Sequence, residues 1–134
     1  METIYFAGPL FSAAEKKFNI ELSNILIENG YNVFLPQKKC ESKEGNDIFI
    51  TCKKGIEASS IILAILDGAD ADSGTCWECG YAYALKKTII AVRTDFRNSG
   101  DTKGFNAMLY YGATHIVEDS ENYAAKILEA LASS

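Results

Sequence analysis

The sequence lacks the features of several large protein classes. No uninterrupted apolar run approaches the roughly 18 residues that a membrane-spanning helix needs. The N-terminal residues 1–5 have neither the basic start nor the cleavage site of a signal peptide. Lysine and arginine total 13 against 18 aspartates and glutamates, and the resulting net charge of −5 repels a phosphate backbone. We therefore expect a cytoplasmic protein with neither a membrane nor a nucleic-acid polymer as its partner.

Motifs of common cofactor and hydrolase sites are also missing. No Gly-x-Gly-x-x-Gly sequence or P-loop follows the first apolar run, and no Gly-x-Ser-x-Gly elbow occurs. The single histidine, His115, lies in a predicted strand, where we interpret it as a packing residue. We therefore expect no dinucleotide cofactor, no nucleoside triphosphate hydrolysis and no serine-hydrolase triad.

Cysteine is scarce, with four residues that we expect to be reduced thiols. Cys76 and Cys79 form a Cys-x-x-Cys pair at a predicted helix start, where a thiolate is stabilised, so a redox protein remains an alternative that predicts a lowered pKa at Cys76. Cys40 and Cys52 are isolated in the sequence, and no second pair completes a zinc site. We expect no metal and no organic cofactor.

What the sequence does contain is an alternation of short apolar runs and amphipathic segments, which is typical of a parallel sheet flanked by helices. We predict one domain over residues 1–134 with a flavodoxin-like (Rossmann-like) three-layer α/β sandwich and a five-stranded parallel sheet. The predicted strands are Thr3–Ala7, Tyr31–Leu35, Ser60–Leu66 (the central strand), Thr88–Val92 and Thr114–Val117. Helices are predicted near 12–29, 47–58, 75–85 and 120–131, a helical turn at 106–111, and polar loops at 36–46 and 93–104.

Acidic residues concentrate after the predicted central strand, at the edge of the sheet where ligands of such folds bind. Glu78 is predicted in the first turn of a helix, whose dipole favours the ionised form of a nucleophile. Asp72 lies six residues earlier and is suited to binding a hydroxyl group or moving a proton, as in the carboxylate pairs of retaining glycosidases. Alternatively, residues 75–78 form a capping box in which Glu78 binds its own helix start.

Two further segments are predicted at the same edge of the sheet. Phe11, in the turn that begins at Gly8, either stacks on a flat heterocycle or folds back onto the core. Residues 106–111 form an amphipathic turn with aromatic character, which suits a pocket wall or a subunit contact.

Three elements in this order resemble the nucleoside 2-deoxyribosyltransferase family: Tyr-Phe-Ala-Gly-Pro at 5–9, Asp-Ser-Gly-Thr-Cys-Trp-Glu-Cys-Gly-Tyr-Ala at 72–82, and Asn-Ala-Met at 106–108. The likeness extends from Ile4 to about Tyr111. It implies an enzyme that exchanges the nucleobase of a small-molecule deoxynucleoside for another free nucleobase, through a covalent deoxyribosyl-enzyme and without a cofactor.

The resemblance also implies residue roles. Glu78 corresponds to the nucleophile, Asp72 to the residue that binds deoxyribose, and Tyr5 to the hydrogen-bond donor to the nucleophile. The family supplies the residues matching Asn106 and Met108 from a neighbouring subunit, so we expect a homo-oligomer, a dimer or higher. The predicted substrate-binding residues are Gly8, Phe11, Asp70, Asn106 and Met108.

One position departs from the family pattern. Members often carry Asp or Asn in the second helix, against the leaving base, and the matching residue here is Cys52. The proton donor to the base is left open among Asp70, Asp67 and water. Because the first loop carries no cation, an unphosphorylated substrate is favoured over a 5′-monophosphate. A deoxynucleoside N-glycosidase and a non-catalytic nucleoside-binding module remain alternatives.

Overall fold

The computed structural model describes residues 2–95, 97 and 104–134. Within these residues, five strands form one sheet in which all neighbours pair in parallel, in the order β2-β1-β3-β4-β5. This is the order of a flavodoxin-like fold, and the predicted fold class is confirmed. The strands are β1 (Thr3–Ala7), β2 (Asn32–Phe34), β3 (Ile61–Ile65), β4 (Thr88–Arg93) and β5 (His115–Glu118).

The helices of the described chain are α1 (Ala13–Glu28), α2 (Pro36–Lys39), α3 (Gly45–Ala58), α4 (Ser73–Ala84), α5 (Ala107–Gly112) and α6 (Tyr123–Ala132). None of them is both long and apolar enough to cross a bilayer. Helix α2 corrects the prediction of a loop after Leu35, because the fixed φ of Pro36 suits the first position of a helix. Of the predicted loop at 93–104, residues 96 and 98–103 lie outside the described residues.

The ends of α1 follow from its sequence. Ser12 accepts a hydrogen bond from the backbone N–H of Glu15, and the Glu15 side chain accepts one from the backbone N–H of Ser12. Past the other end, Gly30 adopts a φ of 95°, a conformation that favours glycine. The observed helix therefore agrees with the helix predicted near 12–29, and local side-chain signals mark both of its ends.

The two faces of the sheet carry different cores. Side chains alternate along β1, so that Ile4 and Phe6 pack with α1 and α6, whereas Tyr5 and Ala7 pack on the side of α3 and α4. The buried residues of the first cluster are aliphatic apart from Phe6, whereas the second includes Tyr5 and Cys79. The face of the sheet under α3 and α4 therefore buries side chains with polar or reactive groups.

Candidate active site

A tyrosine and a glutamate from distant parts of the chain meet on this face. Helix α4 packs against β1, β3 and β4, which brings Glu78 over Tyr5. The Tyr5 hydroxyl donates a short hydrogen bond to Oε2 of Glu78. Tyr5 is fully buried, and its ring stacks on Phe34 with the ring centroids 5.1 Å apart. Stacking on Phe34 holds the ring of Tyr5, and its hydroxyl fixes one oxygen of the half-buried Glu78 carboxylate.

Burial controls the protonation of this pair. It raises the pKa of Glu78 from 4.5 to about 7; the hydrogen bond from Tyr5 lowers that pKa, and the charge of Asp72 raises it. Burial also raises the pKa of Tyr5 far above its usual range, so the phenol remains a donor. The prediction that a first-turn position keeps Glu78 ionised is wrong, because the helix begins at Ser73 and Glu78 lies in its second turn.

Asp72 is the N-cap of α4. Its Oδ2 accepts hydrogen bonds from the backbone N–H of Thr75 at 3.0 Å and from the Thr75 hydroxyl at 3.1 Å. The alternative in which residues 75–78 form the capping box is therefore wrong, since the cap is Asp72 and the carboxylate of Glu78 accepts from Tyr5. Asp72 lies close enough for its charge to act on the pKa of Glu78.

The two other aspartates of this loop differ in their surroundings. Asp67 accepts hydrogen bonds from the backbone N–H of Thr94 at 2.6 Å, from the Thr94 hydroxyl at 2.6 Å and from the backbone N–H of Asp95 at 3.0 Å. These bonds tie the end of β3 to the end of β4 and occupy both oxygens of Asp67. Asp70 is exposed in the loop before α4. Of these two aspartates, Asp70 makes no comparable hydrogen bond to the part of the chain that the structure describes.

A buried arginine from the predicted polar loop at 93–104 supports the same edge of the sheet. Arg93 is the last residue of β4 and is 1% exposed. Its Nη1 donates to the carbonyls of Leu66 and Gly68, both at 2.9 Å, and its Nη2 donates to the carbonyl of Arg97 at 2.9 Å. The sequence signal that could have indicated this role is that Arg93 directly follows the apolar run of β4, because a cation at such a position is buried only when its hydrogen bonds are satisfied.

Three of the remaining predicted residues lie at the surface, whereas Gly8 is half-buried. Phe11 is 74% exposed, so the alternative in which it folds back onto the core is wrong. Asn106 is the N-cap of α5, its Oδ1 accepting from the backbone N–H of Met108 at 2.8 Å, and Met108 is 83% exposed. At Gly8, an added Cβ would lie 3.2 Å from Cβ of Ile65, which explains the glycine by close packing. Their roles toward a substrate stay predictions.

The cysteines do not follow the redox alternative. Burial raises the pKa of Cys76 and raises that of Cys79 to about 12, the opposite of the lowered pKa that a reactive Cys-x-x-Cys needs. Cys40 and Cys52 are isolated in the sequence, but the fold brings their Sγ atoms to 3.6 Å from each other. Among the described residues, no group of three or more His, Cys, Asp or Glu side chains is arranged to hold a metal ion.

A groove of about 590 Å³ lies beside α3, but it contains none of the predicted site residues. Phe34, which stacks on Tyr5, forms part of its wall. Because neither Tyr5 nor Glu78 lines the groove, it is separate from this pair. Its lining is Phe34, Lys43, Asp47, Ile50, Thr51, Lys54, Gly55 and Ala58.

The chain is similar to known proteins in sequence and in fold. The sequence profile of the nucleoside 2-deoxyribosyltransferase family matches residues 4–132. The chain belongs to this family. A 2-deoxyribosyltransferase from Leishmania mexicana is 25% identical with a TM-score of 0.75, over 96% of this chain and 98% of that one. No curated protein gives a significant match.

Two further solved structures support the fold of this family member. A 2-deoxyribosyltransferase from Bacillus psychrosaccharolyticus is 23% identical with a TM-score of 0.73, over 90% of this chain and 88% of that one. A CMP N-glycosidase from Clostridium botulinum is 19% identical with a TM-score of 0.65, over 98% of each chain. The family membership indicates a nucleoside deoxyribosyltransferase or a related N-glycosidase.

Proposed function

We propose that the protein is a nucleoside 2-deoxyribosyltransferase that cleaves the N-glycosidic bond of a 2′-deoxynucleoside and transfers the deoxyribosyl group to another nucleobase, with Glu78 as the nucleophile. The observation that carries the proposal is the Glu78 carboxylate, half-buried on the face under α4 and held through one oxygen by Tyr5. A carboxylate removed from water in this way is a stronger nucleophile than a solvated one.

The reaction has two displacements at C1′. In the first, Oε1 of ionised Glu78 forms a bond to C1′, and the electron pair of the C1′–N bond leaves with the base. In the second, a nitrogen of the acceptor base attacks C1′ from the opposite face and releases the carboxylate, and the proton on that nitrogen returns to the group that protonated the leaving base. Tyr5 keeps Oε2 bound throughout, which orients Oε1 toward the sugar. Two inversions give retention, as in retaining glycosidases.

We assign the remaining contacts to the predicted residues. Asp72 uses Oδ2 to cap α4, and we assign its Oδ1 to a deoxyribose hydroxyl, together with an Asn106 from a neighbouring subunit. The exposed ring of Phe11 packs on the base beside Gly8. Because Asp67 is bound to Thr94, we assign proton transfer to the leaving base to Asp70 or a water molecule. A 2′-hydroxyl would crowd the attacking oxygen, so ribonucleosides should react poorly.

The exposed surface of α5 supports a second part of the proposal, a homo-oligomer. Met108 and Tyr111 are 83% and 75% exposed, and large apolar side chains at this level of exposure are typical of subunit contacts. In the proposed oligomer, Asn106 and Met108 complete the site of a neighbouring subunit. Light scattering of the wild type and of Met108→Glu tests this, and a monomeric, fully active wild type would contradict it.

The central test uses a deoxynucleoside with and without a second free base. A transferase forms the new deoxynucleoside, and intact mass spectrometry without the acceptor shows a deoxyribosyl adduct that maps to Glu78. The matched control is Glu57→Gln, because Glu57 also accepts from a tyrosine hydroxyl but lies at the surface. Normal base exchange by Glu78→Gln would refute the mechanism.

A second candidate is an N-glycosidase in which water is the acceptor. It is favoured by the fold shared with the Clostridium botulinum CMP N-glycosidase. The same assay separates the two functions, since a glycosidase releases base at the same rate with or without acceptor and makes no new nucleoside. A non-catalytic nucleoside-binding module would bind the deoxynucleoside and release no base.

A further inference from the structure

Two cysteines that the proposed reaction does not use face each other beside the site. Cys40 is the C-cap of α2, and Cys52 lies in the middle of α3. Their Sγ atoms are 3.6 Å apart, and both side chains are half-buried. A disulfide requires a separation of about 2.05 Å, so the sulfurs need to approach by roughly 1.5 Å to form one.

The pair is connected to Tyr5. Cys52 packs against the buried cluster that contains Tyr5, and each side chain shifts the pKa of the other. The charge of Glu78 also acts on the Cys52 thiol. Because the Tyr5 proton is donated to Glu78, a displacement of Cys52 changes the surroundings of the donor that holds the candidate nucleophile.

We propose that Cys40 and Cys52 are a redox modification site, and that a reversible disulfide between them disturbs Tyr5 and lowers the activity of the site. The inhibitory part rests on the function proposed above. The two sulfurs are already in contact, and Cys52 packs against the cluster that contains Tyr5.

The oxidant belongs to the class of small-molecule disulfides, for which oxidised glutathione is the probe. The Cys40 thiolate attacks one sulfur of the probe, forms a mixed disulfide and releases one thiolate. Cys52 then loses its proton and attacks Sγ of Cys40, which releases the second thiolate. Two protein thiols are oxidised by two electrons, and one small disulfide is reduced to two thiols. Since burial raises the pKa of Cys52 to about 11, we assign the second step to Cys52, whose target is already adjacent.

The first experiment equilibrates the full chain in glutathione buffers of increasing potential and maps free and bridged thiols by alkylation and mass spectrometry. We expect Cys40 and Cys52 to disappear together as free thiols and to return on reduction. Cys40→Ser, with Cys40→Ala as a second variant, should abolish the bridge, whereas the control Cys76→Ser should retain it. Four free thiols in oxidising buffer, or a bridge between Cys76 and Cys79, would overturn the inference.

The second experiment measures the consequence. We expect the bridge to move the ring signal of Tyr5 in the NMR spectrum of protein with ¹³C-labelled tyrosine, the signal being assigned with Tyr5→Phe. Base exchange should fall by about tenfold in the bridged wild type, because a small displacement at the reacting group is costly, and Cys40→Ser in the same buffer should stay active. An unmoved Tyr5 signal or full activity of the bridged protein would refute the switch. If the reduced protein acts on no deoxynucleoside, the proposed function fails instead, and the Tyr5 signal and thiol mapping still decide this inference.

Discussion

The molecule contains two tyrosine–glutamate pairs of the same chemistry in different surroundings. In each, a tyrosine hydroxyl donates a short hydrogen bond to a carboxylate oxygen: Tyr5 to Glu78, and Tyr81 to Glu57. The first pair lies between the sheet and α4, whereas Glu57 lies exposed on α3. The pKa of Glu78 is raised to about 7, and the pKa of Glu57 is lowered.

The tyrosine hydrogen bond lowers the pKa of the carboxyl group at both sites, so the extent of burial decides the sign of the net shift. At Glu78 the cost of burying charge exceeds the stabilisation of the anion by Tyr5. At Glu57 the hydrogen bond from Lys53 is the main cause, followed by that from Tyr81, and little charge is buried. A carboxyl group with a pKa near neutrality beside a donor is typical of active sites, whereas the surface pair is typical of solvated helix faces.

Neutralising each glutamate gives the largest expected contrast. Glu78→Gln should lower kcat/KM for base exchange by at least about 10³-fold, because it removes the nucleophile. Glu57→Gln should stay within about twofold of wild type. Steady-state kinetics with a deoxynucleoside and a free base measures both. Equal losses in the two variants would mean that the buried pair has no special role.

The stability of the protein should depend on pH with opposite signs at the two sites. The folded pKa of Glu78 is raised from 4.5 to about 7, so the native state binds more protons than the unfolded state in this range, and stability falls as pH rises through it. The loss of folding stability caused by ionising Glu78 is absent below pH 4.5 and complete above pH 7, and it amounts to about 3 kcal/mol. Denaturant unfolding of wild type and Glu78→Gln across this range should show that difference.

Glu57 provides the control for that experiment. Its pKa is lowered, so its contribution to stability is present above pH 4.5 and is lost as pH falls below that value. Glu57→Gln should therefore differ from wild type in its acid dependence while leaving the slope between 4.5 and 7 intact. If the fall of stability between pH 4.5 and 7 disappeared in Glu57→Gln, that effect would come from Glu57 and not from Glu78.

Removing each tyrosine hydroxyl should have the next largest effect. The bond from Tyr5 lowers the pKa of Glu78, so Tyr5→Phe should move the acid limb of the kcat/KM profile to higher pH. A hydrogen bond to a charged group is worth about 1.5–3 kcal/mol, which corresponds to roughly a 10- to 100-fold loss at pH 7. Tyr81→Phe should leave the profile in place. A lower rate with an unshifted limb would indicate a purely structural role for Tyr5.

The smallest effect is expected from the cation of the surface pair. Lys53→Met removes the main cause of the lowered pKa of Glu57, so that pKa should rise toward 4.5. Activity should change by less than about twofold. Carboxyl ¹³C NMR titration follows Glu57, and an altered pH–rate profile would reveal coupling between the two pairs.

Much of the fold was predictable because its determinants are local. Short apolar runs predicted the five strands found among the described residues, and the burial of β3 at each position agrees with its place at the centre of the sheet. The Ser12–Glu15 capping box and Gly30 set the ends of α1. Helix α2 was missed because a four-residue helix has no periodicity, and only Pro36 marked its start.

The site was predictable only in part. The spacing of Asp72 and Glu78 was visible locally, but the start of α4 was placed two residues late, which misassigned the cap. Tyr5 and Glu78 are 73 residues apart, and their pairing entered through a family resemblance rather than through spacing. The contact between Cys40 and Cys52 had no local signal, because it depends on how the end of α2 meets the middle of α3.

The order of polar and apolar residues along the chain determined the layered α/β architecture and placed carboxylates at one edge of its sheet, because backbone periodicity and helix capping act over a few residues. Only the tertiary structure decided which carboxylate lost its water and which tyrosine bound it. Desolvation depends on every group packed around an atom, and those groups come from strands and helices that the sequence keeps far apart.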